Sequence, residues 1–256
     1  MGNCLSDNNT VSLGDLVNRP GTTEQQMTAD TIRQGLTTVA SALNAKGLNV
    51  SIIAVGGAVN TLYLQTRAST GDVDFFYRTK TRHEDVTQLI AAANSARQTL
   101  KLDEHWLNNH TALFIQVRFI ILLPAKLPCV LTCTYISSLC FWQEGVIQRL
   151  YDEGVTQNDV VFNAPGLTVY AAPWRYALCA KLDRLSKSGA HPYDMSDAVD
   201  YLDRLIGKRG GRQAVEKSEL RAWADEFKFT VPSHTLMKRL GDEYKKKYGG
   251  AGIVDG

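Results

Sequence analysis

Residues 55–78 read VGGAVNTLYLQTRASTGDVDFFYR, and this stretch decides the fold. An apolar run ends at Gly56 and Gly57, and Asp72-Val73-Asp74 follows. Two arrangements produce such a pattern. One is a hairpin whose acids line a wet face. The other is a strand, a glycine turn, a helix and a second strand. A tight hairpin needs only a few connecting residues, and here a helix-length segment separates the glycines from the acids. The spacing therefore favours the second arrangement. In a strand, Asp72 and Asp74 share one face with Phe76, while Val73 and Phe75 take the other.

That order has a chemical use. Glycines at a strand-to-helix turn let backbone N–H groups approach a phosphate without an obstructing Cβ. The helix N-terminus behind them adds a favourable partial charge. Two carboxylates on one face suit Mg²⁺, which takes one or two carboxylates together with substrate phosphates and water. A two-ion site is within the reach of such a pair.

Around this stretch the chain divides by pattern. Residues 1–28, rich in Asn, Thr, Ser and Gly, read as a flexible leader. Thr28 or Asp30 caps a helix to about Ala45, residues 49–55 form a buried strand, and the helix after Gly56–Gly57 runs to about Thr66. Asp72–Tyr77 is the second strand, 82–99 an amphipathic helix, 100–109 a loop and Ala112–Gln116 a strand. Val160–Phe162 and Leu167–Ala171 are strands around the Asn163–Gly166 turn. From Pro173, suited to a first helical turn, the spacing predicts helices over 173–187, 192–206, 214–227 and 233–247. The expected divisions are a core over 29–172, a helical part over 173–248 and a loose tail over 249–256.

The helices carry a second set of charges. KLDRL holds Lys181 and Arg184 at i, i+3, on neighbouring faces. PYDMSDAVDYLDRL then brings Asp194 and Asp197. Taken alone, Lys181 and Arg184 read equally as a solvated helix face. Asp194 reads as an acid favoured in a helix first turn.

Strand, Gly-Gly, helix and Asp-x-Asp, followed by a Lys-bearing helix and an Asp-x-x-Asp helix, resembles the nucleotidyltransferase superfamily related to DNA polymerase β. The minimal and abortive-infection-toxin-like branches are the nearest in pattern, and the resemblance covers about residues 30–116 and 159–206. It implies an α/β (α+β) fold, a mixed sheet flanked by helices with a helical C-terminal part. It implies Mg²⁺-dependent transfer of a nucleotide from an NTP to an acceptor, whether an RNA end such as that of a tRNA, a protein or a small molecule. Asp72 and Asp74 would be the catalytic metal ligands, and Gly56 and Gly57 would accommodate phosphates. Arg67 and Thr70 stand where that family's pattern carries Arg and Thr. Lys181 would meet the triphosphate with Arg184 beside it, and Asp194 and Asp197 would orient their helix. The pattern departs at a third carboxylate. The strand 112–116 has none, Asp103 and Glu104 precede it on a loop, and Asp159 starts a later strand. The rival expectation is a non-catalytic, lipid-anchored binding protein that keeps this fold.

Other features bound these readings. The net charge of +2 argues against a polybasic nucleic-acid coat but leaves room for a local basic groove. Five cysteines, an odd number without a secretory signal, point to a reduced intracellular protein, cytoplasmic by default. The opening MGNCLS fits myristoylation at Gly2, with Cys4 beside it for palmitoylation. Two acyl chains would anchor the chain to a membrane surface where one would not. The five histidines, His83, His105, His110, His191 and His234, are scattered without metal spacing. Cys179 reads as buried packing, and no serine lies in a hydrolase context. The cluster Lys208, Arg209, Arg212 and Lys217, like Lys245–Lys247, reads as a solvated helix–helix connection or as a contact for an RNA or a phosphate.

One segment does not fit. Residues 119–142, FIILLPAKLPCVLTCTYISSLCFW, carry Lys126 as their only charge. Length allows a membrane span, but two prolines and the lysine fall in its first ten residues, and a span would split the domain. Cys129, Cys133 and Cys140 do not match a zinc spacing. A buried insert is one alternative. A retained intron is another: Val117 to Gln143 is 27 codons, in frame, with a Val codon beginning GT and a Gln codon CAG at its ends.

Overall fold

The computed structural model describes residues 25–79, 81–109 and 145–256. The acylation positions Gly2 and Cys4, the strand expected at 112–116 and the segment 117–143 lie outside the described residues.

Strand β1 (Met27–Thr28) leads into helix α1 (Ala29–Asn44), where the Thr28 hydroxyl accepts the Thr31 N–H at 3.4 Å. Ile32, Leu36, Val39, Ala40 and Leu43 form the buried stripe, the i, i+3, i+4 pattern of a core-facing helix. Strand β2 (Val50–Val55) follows and lies at the centre of the main sheet. Then come β3 (Ser69–Thr70), β4 (Val73–Tyr77), α2 (His83–Leu100) and β5 (Leu107–Asn108). Helix α3 spans 145–157. After it run the hairpin β6 (Val160–Ala164) and β7 (Leu167–Ala171), then helices α4 (Trp174–Leu185) and α5 (Asp194–Lys208). Strand β8 (Val215–Glu216), α6 (Lys217–Glu226), α7 (His234–Tyr248) and β9 (Ile253–Val254) complete the chain.

The sheet order is β5-β4-β2-β7-β6. β2 runs parallel to β7 and antiparallel to β4, and β4 runs parallel to β5. The class is thus α+β, a mixed sheet flanked by helices. β2 is buried on both faces, which is why it reads as a continuous apolar run. Ile52 and Ala54 face the main core with α1, α2, α4 and α5, while Ile53 and Val55 face a second cluster with Phe76, Ile147, Leu150, Tyr176 and Phe227. The main core runs from Leu36 and Val73 through Trp174 and Leu178 to Leu202 and Leu240. The helical part after residue 172 therefore shares its core with the sheet.

Three local expectations are corrected. The segment 100–109 is not all loop, because Leu107–Asn108 pairs with Val73–Asp74. The helix after the glycines stops at Leu64 and is mostly π-helical. The tail is not loose: Ile253 and Val254 pair in parallel with Val215 and Glu216, and Lys217 meets Asp255 at 2.5 Å.

Deleting residues 253–256 should therefore lower stability by about 1–2 kcal/mol, the scale of one partly buried aliphatic side chain and its ladder bonds. The urea midpoint measures this; a midpoint equal to wild type is the outcome for a free tail.

Candidate functional site

The two glycines have different reasons to be glycine. Gly56 sits at φ 68°, ψ −135°, a region that side chains other than glycine's enter only under strain. At Gly57 the constraint is space, since a Cβ would stand 2.1 Å from the Thr70 hydroxyl and 3.3 Å from Arg67 Nη1. Thr70 and Arg67 are thus pressed against the turn.

Beyond the turn, Gly57–Val59 is helical and Asn60–Leu64 is π-helical, closed by Gln65 in the left-handed region at φ 55°. Such wide turns are rare and often lie at functional sites. Here the wide turn accompanies an Asn60 that is 0% exposed. Its amide donates to Asp197 Oδ1 and to Thr66 Oγ1, each at 3.1 Å. The Tyr201 hydroxyl is shared between Asn60 Oδ1 and the Gly56 carbonyl, 3.2 Å away.

Asp197 is the hub. Its carboxylate accepts from Asn60, from Arg67 through Nε at 3.1 Å and through Nη2, and from Lys181 Nζ at 2.7 Å. Lys181 Nζ also donates to Asp194 at 2.8 Å. Asp194 takes the His191 backbone N–H at 2.8 Å and lies 3.5 Å from Arg184 Nη1. Lys181, Asp194 and Asp197 are each at most 5% exposed, whereas the Arg184 side chain is about half exposed, at 47%. The Arg67 guanidinium carbon lies 3.6 Å from the centre of the Tyr193 ring.

Burial alone would raise the Asp194 pKa, but the Lys181 hydrogen bond, the His191 N–H and the charges of Lys181 and Arg184 outweigh it and hold the carboxyl below its ordinary range. For Arg67, burial works against the charge and Asp197 overcomes it, so its pKa is raised. The Tyr201 phenol is raised by burial, with the Asp197 charge adding to it.

Lys181 is thus neither a solvated side chain nor an open phosphate contact; two aspartates hold its ammonium. Asp194 and Asp197 do more than orient a helix, since they bind the cations of α4 and of the glycine-turn segment. Arg184 is the cation of this group with an accessible head.

The opening acids lie at the start of the neighbouring strand, Asp74 on β4 and Asp72 just before it. Asp74 is paired in register with Val55, the residue before Gly56. Both Asp72 and Asp74 are half-buried. On the other side of β4, Asn108 is in register with Asp74, and its amide donates to Asp72 Oδ2 at 3.3 Å and to the His105 carbonyl at 3.0 Å. An amide therefore stands beside the pair on β5. Asp159 is committed elsewhere, to Trp174 Nε1 at 2.9 Å, the Tyr63 hydroxyl at 2.7 Å and Lys208 Nζ at 3.1 Å. Asp103 accepts the His105 N–H at 3.0 Å within a turn.

Sequence reasoning missed Asn60, Asn108, Tyr193 and Tyr201. A signal existed for Tyr201: Asp194, Asp197 and Tyr201 fall at i, i+3 and i+7, one helix stripe. The basic runs are locally paired. Arg209 meets Glu219 at 2.7 Å, Arg212 meets Asp203 at 2.5 Å and Lys247 meets Asp200. Cys179 is buried, and burial pushes its thiol pKa up to about 12, which makes it an unreactive packing residue.

Residues 138–251 match a family model described as a domain of unknown function, DUF7582. No curated protein and no solved structure matches the chain. The matched region contains Lys181, Arg184, Asp194, Asp197 and Tyr201, while Gly56, Gly57, Arg67, Asp72 and Asp74 lie before it.

Replacing Asp197 with Asn should cost about 3–5 kcal/mol of stability, because buried Lys181 and partly buried Arg67 lose their shared anion; denaturant unfolding measures it, and a cost near zero would remove Asp197 as the hub. The depressed Asp194 pKa has a definite sign. Its contribution is complete above the ordinary carboxyl value of about 3.9 and is lost as pH falls through the lower folded value. Asp194→Asn should therefore flatten the fall in thermal midpoint on acidification below about pH 4.

Proposed function

We propose that the chain is a Mg²⁺-dependent nucleotidyltransferase that moves a nucleotide from an NTP to an acceptor, either an RNA end, a protein or a small molecule. The observation that carries this reading is the convergence at one turn. The strand that carries Asp74, with Asp72 just before it, is registered against the residue before Gly56, and Arg67 lies against Gly57. Asp197 ties the same turn to Lys181, which lies one turn before Arg184 on its helix.

The donor set fits Mg²⁺ in kind. Asp74 on β4 and Asp72 just before it supply hard oxygens, and Mg²⁺ commonly fills its other positions with water and substrate phosphate. Among the described residues no group of three or more His, Cys, Asp and Glu surrounds a metal position, so those other positions matter here. A bound ion would offset phosphate charge and polarise the reacting phosphoryl group. The protein's own part is to hold the triphosphate. Gly56 leaves its side of the turn open, with nothing within 4 Å of a Cβ position, and the exposed head of Arg184 is available to an anion. Lys181 and Asp197 fix Arg67 in place.

A second reading is favoured by Asn108, an amide where an acid beside Asp74 would complete a three-carboxylate site. On that reading the fold binds nucleotide without turning it over and is brought to a membrane surface by acylation at Gly2 and Cys4. No helix among the described residues is long and apolar enough to cross a membrane.

Titration of the protein with ATP and GTP, with and without Mg²⁺, tests the first reading. The Asp72→Ala/Asp74→Ala double variant should lose the Mg²⁺-dependent part of the affinity, about tenfold or more. Metal-dependent binding that survives the double substitution removes these acids as metal ligands.

A further inference from the structure

Tyr193 is 40% exposed, one of few large apolar side chains among the described residues with so much surface in water. Its surroundings are ordered. The Arg67 guanidinium covers one face of the ring at 3.6 Å, and Lys181 Nζ lies 5.6 Å from the ring centre. The His191 ring stacks on Tyr193 with centres 5.1 Å apart and planes 16° from parallel. A ring so close and so nearly parallel cannot share a face with the guanidinium, so His191 takes the opposite face. The result is a ladder of Arg67, Tyr193 and His191, and His191, at its outer end, is itself exposed.

The ladder has a fixed position relative to the glycine turn. Arg67 lies against both, with Nη1 3.3 Å from where a Gly57 Cβ would stand and its guanidinium over the Tyr193 ring. Its two hydrogen bonds to Asp197 hold it there. Hydrophobic burial does not explain Tyr193 and His191, because both remain exposed. An exposed flat stack beside the glycine turn has a direct chemical use, since every nucleobase has a π-face that stacks on aromatic side chains. Cation–π attraction from Arg67 stiffens the inner ring.

We propose that His191, supported by Tyr193 and Arg67, is the stacking platform for the base of the incoming nucleoside triphosphate. This rests on the nucleotide-binding reading above and adds the residues that recognise the base. Arg67 is then a positioning residue that links the base platform to the phosphate turn.

Calorimetric titration of the full chain with ATP and with inorganic tripolyphosphate, both with Mg²⁺, separates base from phosphate recognition. His191→Ala should weaken ATP about tenfold and leave tripolyphosphate within about twofold, and His191→Phe should restore ATP binding. Equal weakening of both ligands, or of neither, overturns the platform. A single-stranded oligoadenylate that loses affinity in His191→Ala while ATP does not also overturns it, assigning the stack to an acceptor base. If ATP binds and responds to His191→Ala but tripolyphosphate does not bind, the platform stands and the phosphate turn falls. If neither ligand binds the wild type, both readings fall together.

Discussion

One carboxylate with almost no contact with water holds together the parts that this protein must bring to one place. Asp197 accepts hydrogen bonds from Asn60, Arg67 and Lys181, and its neighbour Asp194 shares the lysine. Removing charges from water is expensive, and mutual attraction repays that cost only when the geometry is good and the remaining lone pairs are used. Here two buried aspartates face one buried lysine and two arginines, and an amide and a backbone N–H take remaining acceptor capacity. Such a group gains little over an apolar core in net stability. What it gives is one defined arrangement of the glycine turn against helices α4 and α5.

The glycine turn accepts this arrangement because of its own shape. Gly56 takes a backbone conformation reserved for glycine, and Gly57 lets Thr70 and Arg67 close in. The π-helical turn after them widens the coil, with Asn60 directed inward. A regular helix would have kept a tighter ladder, with a different line of side chains facing α5. Tyr201 then bonds both the turn carbonyl and Asn60, so the helix stripe that carries the aspartates also carries the tyrosine. The family match begins after the glycines and the acids, and the charged group is where that matched half meets the half that precedes it.

Much of the fold was legible from local patterns. The alternation of Val73, Asp74, Phe75 and Phe76 gave the faces of β4, and the apolar stripe and Thr28 cap gave α1. The pairs at β6–β7 and the helices after Pro173 followed from turn residues and spacing. What escaped was the short or the irregular. Two-residue strands such as β5 and β9 carry no periodicity, and they exist because a partner edge lies beside them. One turn of π-helix contains too few residues for its spacing to differ from that of an α-helix. Asn108 gave no sign of its role, since an amide's partner in space is invisible in a stretch of sequence.

The sequence by itself determined the order strand, glycine turn, helix, acidic strand. That order follows from chain geometry over a few residues. It also set four charged side chains, Lys181, Arg184, Asp194 and Asp197, at spacings that suited either a solvated surface or a binding site. Only the tertiary structure decided between those. Asn60 and Asp197 meet across 137 residues of chain, and Arg67 and Asp197 across 130. Once packing excludes water from them, a charge must find its counter-charge within the protein. Lys181 therefore ends between two aspartates, and Arg184, still in water, keeps its head accessible to an incoming anion.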